Sequence, residues 1–470
     1  MTPSSPKTKF DYDLVCVGSG PAGQRAAVQA AKLGKKAAVI EKRRVVGGTC
    51  LDTGTIPSKT FREAVLAFTQ CRDCLQDHGV FPSGRPTANQ LLSRVKEVIR
   101  LEGNILEDQL FRNDISMIRG DAAFIDPHTL SIVSERGGKH ITSDKILLAV
   151  GTIPAPSPGA QADGRGIINS DGVLSLEELP KSMVVVGAGV IGIEYASMFA
   201  DLGVEVTVVD RRDRPLEFLD HEIVDEFIHQ MRNKNVVFRL SEAVDQVQFS
   251  SGPGTHPILQ LESGKRLVSD LVLYSIGRLG ATEALNLKAA GLEVDAQRRL
   301  KVNEHFQTNV PHIFAAGDVI GYPSLAATSS EQGRLAACYA FDCPTNPMVE
   351  HFPIGIYSIP EISMVGQTEE ELTRNKVPYE TGIARYREIA RGAIMGDDSG
   401  LFKMLFHRHD HRLLGAHAIG TGATELIHVG QAVMGLGGGL DYFIKTVFNY
   451  PTLAECYKVA ALDAHNKLQH

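Results

Sequence analysis

The chain has 470 residues, of which 43% are hydrophobic and 22% are charged. These values are typical of a soluble globular protein with two to four domains, because a single hydrophobic core stops growing near ~250 residues. The formal net charge of −7, from 48 basic and 55 acidic residues, argues against binding to nucleic acid or to an anionic membrane. Seven cysteines over this length do not make a disulfide framework.

Neither the N-terminal end nor any apolar segment indicates export or membrane insertion. Residues 1–9 are polar and lack the apolar region of a secretory signal. The stretch 183–200 has nearly the length of a membrane span, but three glycines and Glu194 interrupt it, which favours a strand, a turn and a helix. We therefore expect a cytoplasmic protein without a membrane partner, although a very short organelle-targeting arm stays open.

A strand, glycine turn and helix are predicted near the N-terminus. The apolar run 14–17 leads into Gly18, Gly20 and Gly23, spaced as G-x-G-x-x-G. A run of small residues then predicts a helix, and a second apolar run ends on Glu41, 23 residues after the first glycine.

The same pattern recurs about 170 residues later. There the apolar run 183–186 leads into Gly187, Gly189 and Gly192, and the following strand ends on Asp210, again 23 residues after the first glycine. Glycines of this spacing let the backbone approach a pyrophosphate at a helix N-terminus, and the acid accepts hydrogen bonds from a ribose. A lone glycine pattern can also mark close packing of a helix on a strand, but strand, helix and acid in register favour two dinucleotide sites.

One segment between the two sites supplies a family resemblance. Residues 47–59, from Gly47 to Lys59, resemble the redox-active helix of the FAD-dependent pyridine nucleotide-disulfide oxidoreductases. In that family two cysteines lie in this segment, whereas here Cys50 is kept and Thr55 stands in place of the cysteine next to the flavin. Because a threonine cannot form a disulfide, electrons must leave the flavin by another route. Cys50 is then either a retained small residue or a residual reactive thiol.

The resemblance implies an α/β fold like that of glutathione reductase. Two Rossmann-like dinucleotide-binding domains would be followed by an α+β dimerisation domain, giving a homodimer or a higher homo-oligomer. The implied divisions are an FAD-binding domain at 1–150, an NAD(P)-binding domain at 151–284, a return segment at 285–350 and an interface domain at 351–470.

The resemblance also implies which residues bind the two dinucleotides. It assigns FAD to the following residues: Gly18, Gly20, Gly23, Glu41, Lys42, Gly48, Thr49, Lys59, Gly151, Gly317 and Asp318. It assigns NAD or NADP, as substrates, to the following residues: Gly187, Gly189, Val190, Gly192, Glu194, Asp210, Arg211, Arg212 and Gly277. Asp318 would bind the ribitol, and the helix expected over 324–340 would stabilise the anionic reduced flavin through its positive N-terminus.

A second departure from the disulfide reductases lies near the C-terminus. Residues 448–455 match the family segment in which a histidine, held by a glutamate, serves the thiols. Here that position is Asn449, followed by Glu455, and an asparagine cannot transfer protons at neutral pH. The loss of both the second thiol and the base resembles the Si-specific NAD(P)+ transhydrogenase branch of the family.

This branch implies hydride transfer from NADPH to FAD and then to NAD+, with Lys59 paired to Glu194 beside the flavin. Alternatively, Glu194 only caps its helix or is solvated. We expect Asp210 to bind an unmodified ribose, and an arginine among Arg211, Arg212 and Arg214 to bind a 2′-phosphate. The same acid-then-basic order at 41–44, where no 2′-phosphate binds, allows the basic run to be only a solvated turn.

Other functions stay open at this stage. A disulfide or quinone reductase similar to dihydrolipoamide dehydrogenase would need another thiol, such as Cys71 or Cys74. A catalytically silent nucleotide-binding flavoprotein is a third alternative. No metal site is expected, because His407, His409 and His411 are better explained by a hairpin that turns at Asp410.

Overall fold

The computed structural model describes residues 10–78, 85–135, 137–157, 162–164, 166–250 and 256–469. Residues 1–9, for which the sequence predicts no secretory signal, lie outside the described residues. The N-terminal part contains six strands and four helices: β1 (Tyr12–Val17), α1 (Pro21–Lys32), β2 (Ala37–Glu41), α2 (Gly48–Asp52), α3 (Thr55–Asp77), α4 (Ala88–Arg112), β3 (Ser116–Arg119), β4 (Asp121–Asp126), β5 (Thr129–Ser134) and β6 (Gly137–Leu148).

The first sheet has the strand order β3-β2-β1-β6-β5-β4. Strands β3, β2 and β1 run parallel to each other and to the second half of β6, whereas the first half of β6 pairs antiparallel with β5. All five residues of β2 are buried, as is typical of a parallel strand covered on both faces. The carboxyl ends of β1 and β2 therefore meet at one edge of the sheet.

The second part of the chain repeats this architecture. Its elements are β7 (Thr152–Pro154), β8 (Ile167–Asn169), β9 (Ser182–Val186), α5 (Val190–Asp201), β10 (Glu205–Asp210), α6 (His221–Asn233), β11 (Val237–Leu240), β12 (Val244–Phe249), β13 (Pro257–Leu261), β14 (Arg266–Val268), β15 (Leu271–Tyr274) and β16 (Arg278–Gly280). Strands β11-β10-β9-β15-β8 form a parallel sheet, and β12-β13-β14 form an antiparallel one. Strands β7 and β16 pair where the chain enters and leaves this part.

The chain then returns to the first sheet. Strand β17 (Ile313–Ala315) pairs parallel with β6, and helix α7 (Ala326–Ala340) packs against α1. The two helices approach closely at Gly333, where an added Cβ would lie 2.0 Å from the carbonyl oxygen of Ala22. The sequence predicted this helix from residue 324, and it begins two residues later. Short 3-10 helices connect elements at Ser170–Ser175, Glu283–Leu285, Leu287–Ala290 and Asp318–Ile320.

The C-terminal part is an antiparallel sheet with helices. Its elements are β18 (Ile354–Ile356), β19 (Ile362–Gly366), α8 (Glu369–Arg374), β20 (Tyr379–Arg385), a 3-10 turn (Tyr386–Glu388), α9 (Ala390–Met395), β21 (Leu401–His407), β22 (Leu413–Ile419), α10 (Ala423–Gly435), α11 (Leu440–Lys445) and α12 (Glu455–Leu468). The strand order is β18-β19-β22-β21-β20. The expected hairpin turn at Asp410 is confirmed, and the His407 imidazole contacts the Asp410 carboxylate at 2.9 Å.

A buried ion cluster joins the second part to the C-terminal part. The Nζ of Lys403, on β21, lies 2.9 Å from Asp220 at the start of α6, and both side chains are fully buried. Glu222 and Glu369 complete the cluster, so the ammonium group itself supplies the cation among the three carboxylates. These contacts hold the two parts together.

The predicted fold class is confirmed by this architecture. Two parallel-sheet units with glycine turns precede an α+β unit, as the resemblance implied. No helix within the described residues is sufficiently long and apolar to span a lipid bilayer.

Candidate active site

A cavity opens at the carboxyl ends of β1 and β6. Nine of the eleven residues predicted to bind FAD line it: Gly18, Gly20, Glu41, Lys42, Gly48, Thr49, Gly151, Gly317 and Asp318. An added Cβ at Gly20 would find no atom within 4 Å, so the N-terminus of α1 is open to a ligand at this point. Gly23 instead allows close packing, because a Cβ there would lie 2.0 Å from the carbonyl oxygen of Gly18.

The acid at the end of β2 is buried at the rim of this first cavity. Glu41 accepts hydrogen bonds from the backbone N–H of Ser19 at 3.0 Å and from its hydroxyl at 2.6 Å. The backbone N–H of Arg43 donates to the other carboxylate oxygen at 2.7 Å, but the Arg43 guanidinium turns away and pairs with Asp52. The carboxylate is thus held by Ser19 and by backbone. Ser19 is not among the residues predicted to bind FAD, although it lies inside the glycine pattern.

The opposite end of the first cavity carries Asp318. Burial raises the pKa of its carboxyl group, while the positive charge of Arg278 opposes this rise. Arg278 donates from Nε to the Thr152 hydroxyl at 2.8 Å, and that hydroxyl lies 3.5 Å from Asp318. The β7–β16 crossover pair therefore reaches the cavity through Thr152, a role that no local sequence signal indicates.

The segment that carries the single thiol also lines the first cavity. Cys50 lies in α2 and Thr55 begins α3, and both residues line the same cavity. Burial raises the pKa of Cys50, and the Thr55 hydroxyl acts in the opposite direction. All seven cysteines lie within the described residues and are free thiols. Cys71 is exposed and lies 16 residues beyond Thr55 on the same helix, about 24 Å along its axis.

Lys59 lies one turn beyond Thr55 and forms an ion pair with the buried Glu194. Its Nζ donates to the two carboxylate oxygens of Glu194 at 2.8 and 2.7 Å, and only 4% of Glu194 is exposed. The alternative of a solvated Glu194 is therefore wrong. Tyr357 completes the arrangement: its backbone N–H donates to Glu194 at 2.9 Å, and the Lys59 ammonium lies 5.0 Å from the centre of its ring.

A second cavity opens at the carboxyl ends of β9 and β10. Six of the nine residues predicted to bind NAD or NADP line it: Gly187, Gly189, Asp210, Arg211, Arg212 and Gly277. Val190 begins α5 just behind the glycine turn. Gly192 permits close packing, since an added Cβ would lie 2.0 Å from the carbonyl oxygen of Gly187.

The acid of the second cavity is engaged by an arginine. Asp210 accepts two bonds from the guanidinium of Arg212, at 2.9 Å from Nε and 2.7 Å from Nη2, and further bonds from the backbone N–H groups of Arg212 and Ala188. Burial by itself would raise the pKa of Asp210, but the bonds from Arg212 outweigh burial and lower it. Arg211 is exposed at the cavity, whereas Arg214 pairs with Asp225 and is not among the lining residues.

The two C-terminal positions lie apart from these cavities. Asn449 is exposed, and Glu455 begins α12. One carboxylate oxygen of Glu455 is buried and has no hydrogen-bond partner within the described part of the chain. Neither residue lines the first or the second cavity.

Two cavities at glycine turns, the first of them lined by a helix with a single thiol, define a two-nucleotide flavoprotein of the disulfide reductase class. The chain belongs to the pyridine nucleotide-disulphide oxidoreductase family, whose main domain matches residues 12–333 and whose dimerisation domain matches residues 352–461. The predicted family is thereby confirmed. FAD is its cofactor, and the dimerisation domain makes the chain a homo-oligomer.

Within that family, relatives that match over the full length include soluble pyridine nucleotide transhydrogenases. The chain is 51% identical over 462 residues to the soluble pyridine nucleotide transhydrogenase of Mycobacterium tuberculosis, covering 98% of each chain. It is 41% identical over 480 residues to the soluble pyridine nucleotide transhydrogenase of Aliivibrio fischeri, covering both chains completely. The predicted resemblance to the transhydrogenase branch is confirmed by these relatives.

Two solved structures share the fold of this chain. The HOCl-induced flavoprotein disulfide reductase RclA from Escherichia coli superimposes with a TM-score of 0.87 at 26% identity, over 96% of this chain and 99% of that one. LpdA from Mycobacterium tuberculosis gives a TM-score of 0.86 at 26% identity, over 96% and 98%.

Proposed function

We propose that this chain is an FAD-dependent transhydrogenase that transfers hydride between NADPH and NAD+. The observation that carries the proposal is the single thiol at the first cavity, where Cys50 faces the hydroxyl of Thr55. A disulfide reductase needs two thiols at this place, and Cys71 and Cys74 are exposed further along α3. Electrons that enter from one nicotinamide nucleotide therefore leave to another.

The first cavity fits FAD. The open backbone at Gly20 and the N-terminus of α1 would hold the pyrophosphate, Glu41 would accept hydrogen bonds from the adenosine ribose, and Asp318 would hold the ribitol. When bound, FAD supplies the carrier for the two electrons of a hydride. Lys59 follows Thr55 by one turn of α3, so its charge lies close to the cavity end that Cys50 and Thr55 line.

The Lys59–Glu194 pair controls charge at this end of the cavity. Glu194 neutralises the ammonium in a buried setting, and the backbone N–H of Tyr357 fixes the carboxylate in place. A fixed cation favours accumulation of negative charge nearby at no cost of reorganisation. Because a hydride carries its proton with both electrons, the chain needs no acid–base group, which agrees with asparagine at position 449.

The second cavity would accept both nicotinamide nucleotides in turn. NAD(H) requires hydrogen bonds from its ribose to Asp210, and NADP(H) requires a cation for its 2′-phosphate. Arg212 already forms a two-bond pair with Asp210, and guanidinium groups bind phosphate in the same forked geometry. A 2′-phosphate thus replaces the carboxylate as the partner of Arg212, and Arg211 at the cavity adds a second cation. Arg214, held by Asp225, has no part in this exchange.

The proposed division of the chain follows the sequence. An FAD-binding domain would span residues 1–150 and 285–350, an NAD(P)-binding domain 151–284, and an interface domain 351–470. We place the protein in the cytoplasm, as a homodimer or a higher homo-oligomer.

Anaerobic titration of the purified holoenzyme tests the proposed function. NADPH bleaches the flavin band after uptake of two electrons, and NAD+ then restores it without release of any thiol. Uptake of four electrons, with thiol groups appearing in proportion to the flavin, would instead identify a disulfide reductase that uses another cysteine. A flavin that NADPH does not bleach would identify a catalytically silent flavoprotein.

A further inference from the structure

Two cysteines are held together at the end of helix α7. The N–H of Cys343 donates to the carbonyl of Cys338 at 2.9 Å, and the N–H of Asp342 donates to the carbonyl of Tyr339 at 3.4 Å. Asp342 between them is left-handed, with φ of 52°. These features define a Schellman motif, in which the first and last residues bring their side chains into contact. These two positions frequently carry apolar side chains, whereas here both carry cysteines.

The two cysteines occupy the paired positions of one motif. Cys338 and Cys343 are joined through the backbone by the 2.9 Å hydrogen bond, and both are free thiols. Cys338 is buried, whereas Cys343 is half-buried and open to a small reagent. A disulfide requires Cα atoms about 4.4–6.8 Å apart, and a backbone hydrogen bond between the same two residues holds them at that scale.

A charged group lies beside the buried thiol. Arg334 donates from Nη1 to the Cys338 sulfur at 3.8 Å, and Glu331 holds its guanidinium through a 2.9 Å bond to Nε. Burial raises the pKa of the Cys338 thiol, and the nearby Arg334 opposes this rise. Although burial keeps the pKa of Cys338 raised, the positive charge of Arg334 stabilises the Cys338 thiolate in the step that closes the disulfide.

We propose that Cys338 and Cys343 form a redox-active dithiol that hydrogen peroxide oxidises to a disulfide. The Cys343 thiolate attacks the peroxide, so that an S–O bond forms, the O–O bond breaks and hydroxide leaves. The Cys338 thiol then loses its proton and attacks the Cys343 sulfur, so that the S–S bond forms and water leaves. The two sulfurs together give two electrons to the peroxide, and an external dithiol, which is itself oxidised to a disulfide, reduces the pair back to two thiols.

This dithiol is separate from the proposed hydride path. Ala326 at the start of α7 lines the first cavity, but Cys338 lies twelve residues further along the helix, about 18 Å along its axis. Neither cysteine lines the first or the second cavity. Oxidation therefore changes the end of the helix and leaves the nucleotide sites intact.

Thiol mapping of the holoenzyme tests the proposal. The reduced protein is treated with hydrogen peroxide, denatured, labelled with a maleimide and digested with trypsin, which releases both cysteines in one peptide, residues 335–374. We expect this peptide to lose two hydrogens and both labels, and dithiothreitol to restore both. Retention of both labels, at a peroxide concentration that oxidises another thiol of the chain, would overturn the proposal.

Two variants separate the dithiol from general oxidation. C343S should leave Cys338 unable to form the disulfide within its peptide, while C74S, on the exposed face of α3, should oxidise as the unmodified chain does. Two other outcomes would also contradict the proposal. One is a disulfide that joins Cys338 or Cys343 to any other cysteine, and the other is overoxidation of each thiol separately. The peptide mass in the unmodified chain decides the outcome even where a variant folds poorly.

Discussion

The two glycine-turn sites share a backbone and differ in what holds their acid. At the first site Glu41 is bound by Ser19, and Arg43, two residues beyond the acid, pairs with Asp52 instead. At the second site Arg212, also two residues beyond the acid, folds back onto Asp210 with two hydrogen bonds. The same local order, an acid followed by basic residues, thus gives two different networks.

The difference matches the different tasks of the two sites under the proposed function. A carboxylate held by a hydroxyl and by backbone N–H groups keeps one geometry, which suits a cofactor that stays bound. A carboxylate held by a guanidinium can exchange that partner for a phosphate, which suits a site where NADH and NADPH alternate. The contrast also explains why a basic run beside an acid is by itself a weak sign of 2′-phosphate binding.

The largest effects are expected from two glycine variants, each of which disrupts only one of the two nucleotide sites. In G23A and in G192A the new Cβ would lie 2.0 Å from a backbone oxygen that cannot move freely. We expect G23A to be purified without flavin. G192A should keep its yellow colour but lose NADPH oxidation by at least about 100-fold, equivalent to about 2.7 kcal/mol.

The control for both glycine variants is G435A, at the end of α10. An added Cβ there meets no atom within 4 Å, so flavin content and turnover should stay unchanged. If G192A also lost its flavin, the two units would not be independent, and the comparison between them would fail.

The second-largest effect is expected from loss of the Lys59–Glu194 ion pair, which connects the first unit to the second. In K59M the buried Glu194 loses its ion-pair partner, which opposes negative charge at the first cavity. We expect flavin reduction by NADPH, measured by stopped-flow absorbance, to slow by roughly 100-fold. C50S should retain nearly all of its NADPH-to-NAD+ transfer. Equal losses in the two variants would show that the thiol takes part in turnover.

The third effect tests whether a 2′-phosphate replaces Asp210 as the partner of Arg212 at the second site, which we call the arginine exchange. Because 38% of the Arg212 side chain is exposed, we expect R212A to weaken NADPH at the low end of the range for a charged hydrogen bond, about 1.5 kcal/mol or tenfold. NADH should bind as well as before or better, since Asp210 is released. R211A should act in the same direction.

Two matched variants serve as controls for the arginine exchange. R214A removes an arginine of the same turn that is held by Asp225, and R43A removes the corresponding arginine of the first site. Neither should alter the ratio of the affinities for NADPH and NADH in equilibrium titrations. Equal weakening of both nucleotides in R212A would refute the exchange.

The smallest effect on turnover is expected from the variant T55C, at the first site. T55C places a second sulfur at the first cavity, which Cys50 and Thr55 both line. We expect a long-wavelength absorbance band, from a thiolate beside the flavin, to appear on reduction by NADPH, while the unmodified chain shows none. The measurement is an anaerobic absorbance titration, and the same band in the unmodified chain would contradict the assignment of Thr55.

The sequence by itself determined the backbone conformation of both glycine turns. It also determined which chemistry the chain lacks, namely a second thiol at position 55 and an imidazole at position 449. The glycine spacing, the strand and helix patterns and the acid 23 residues after the first glycine are all local features. Local steric limits on the backbone therefore convert them directly into turns at helix N-termini. In the same way, a threonine at 55 and an asparagine at 449 exclude thiol and imidazole chemistry wherever they lie.

Only the tertiary structure decided which side chains meet. The partners of Arg43 and Arg212 differ because the first site brings Asp52 within reach, which the local sequence order does not show. The Lys59–Glu194 pair spans 135 positions and was expected only from the family resemblance, and the part of Tyr357 in it had no signal. Contacts between distant segments depend on the packing of whole units, so no short sequence pattern can specify them.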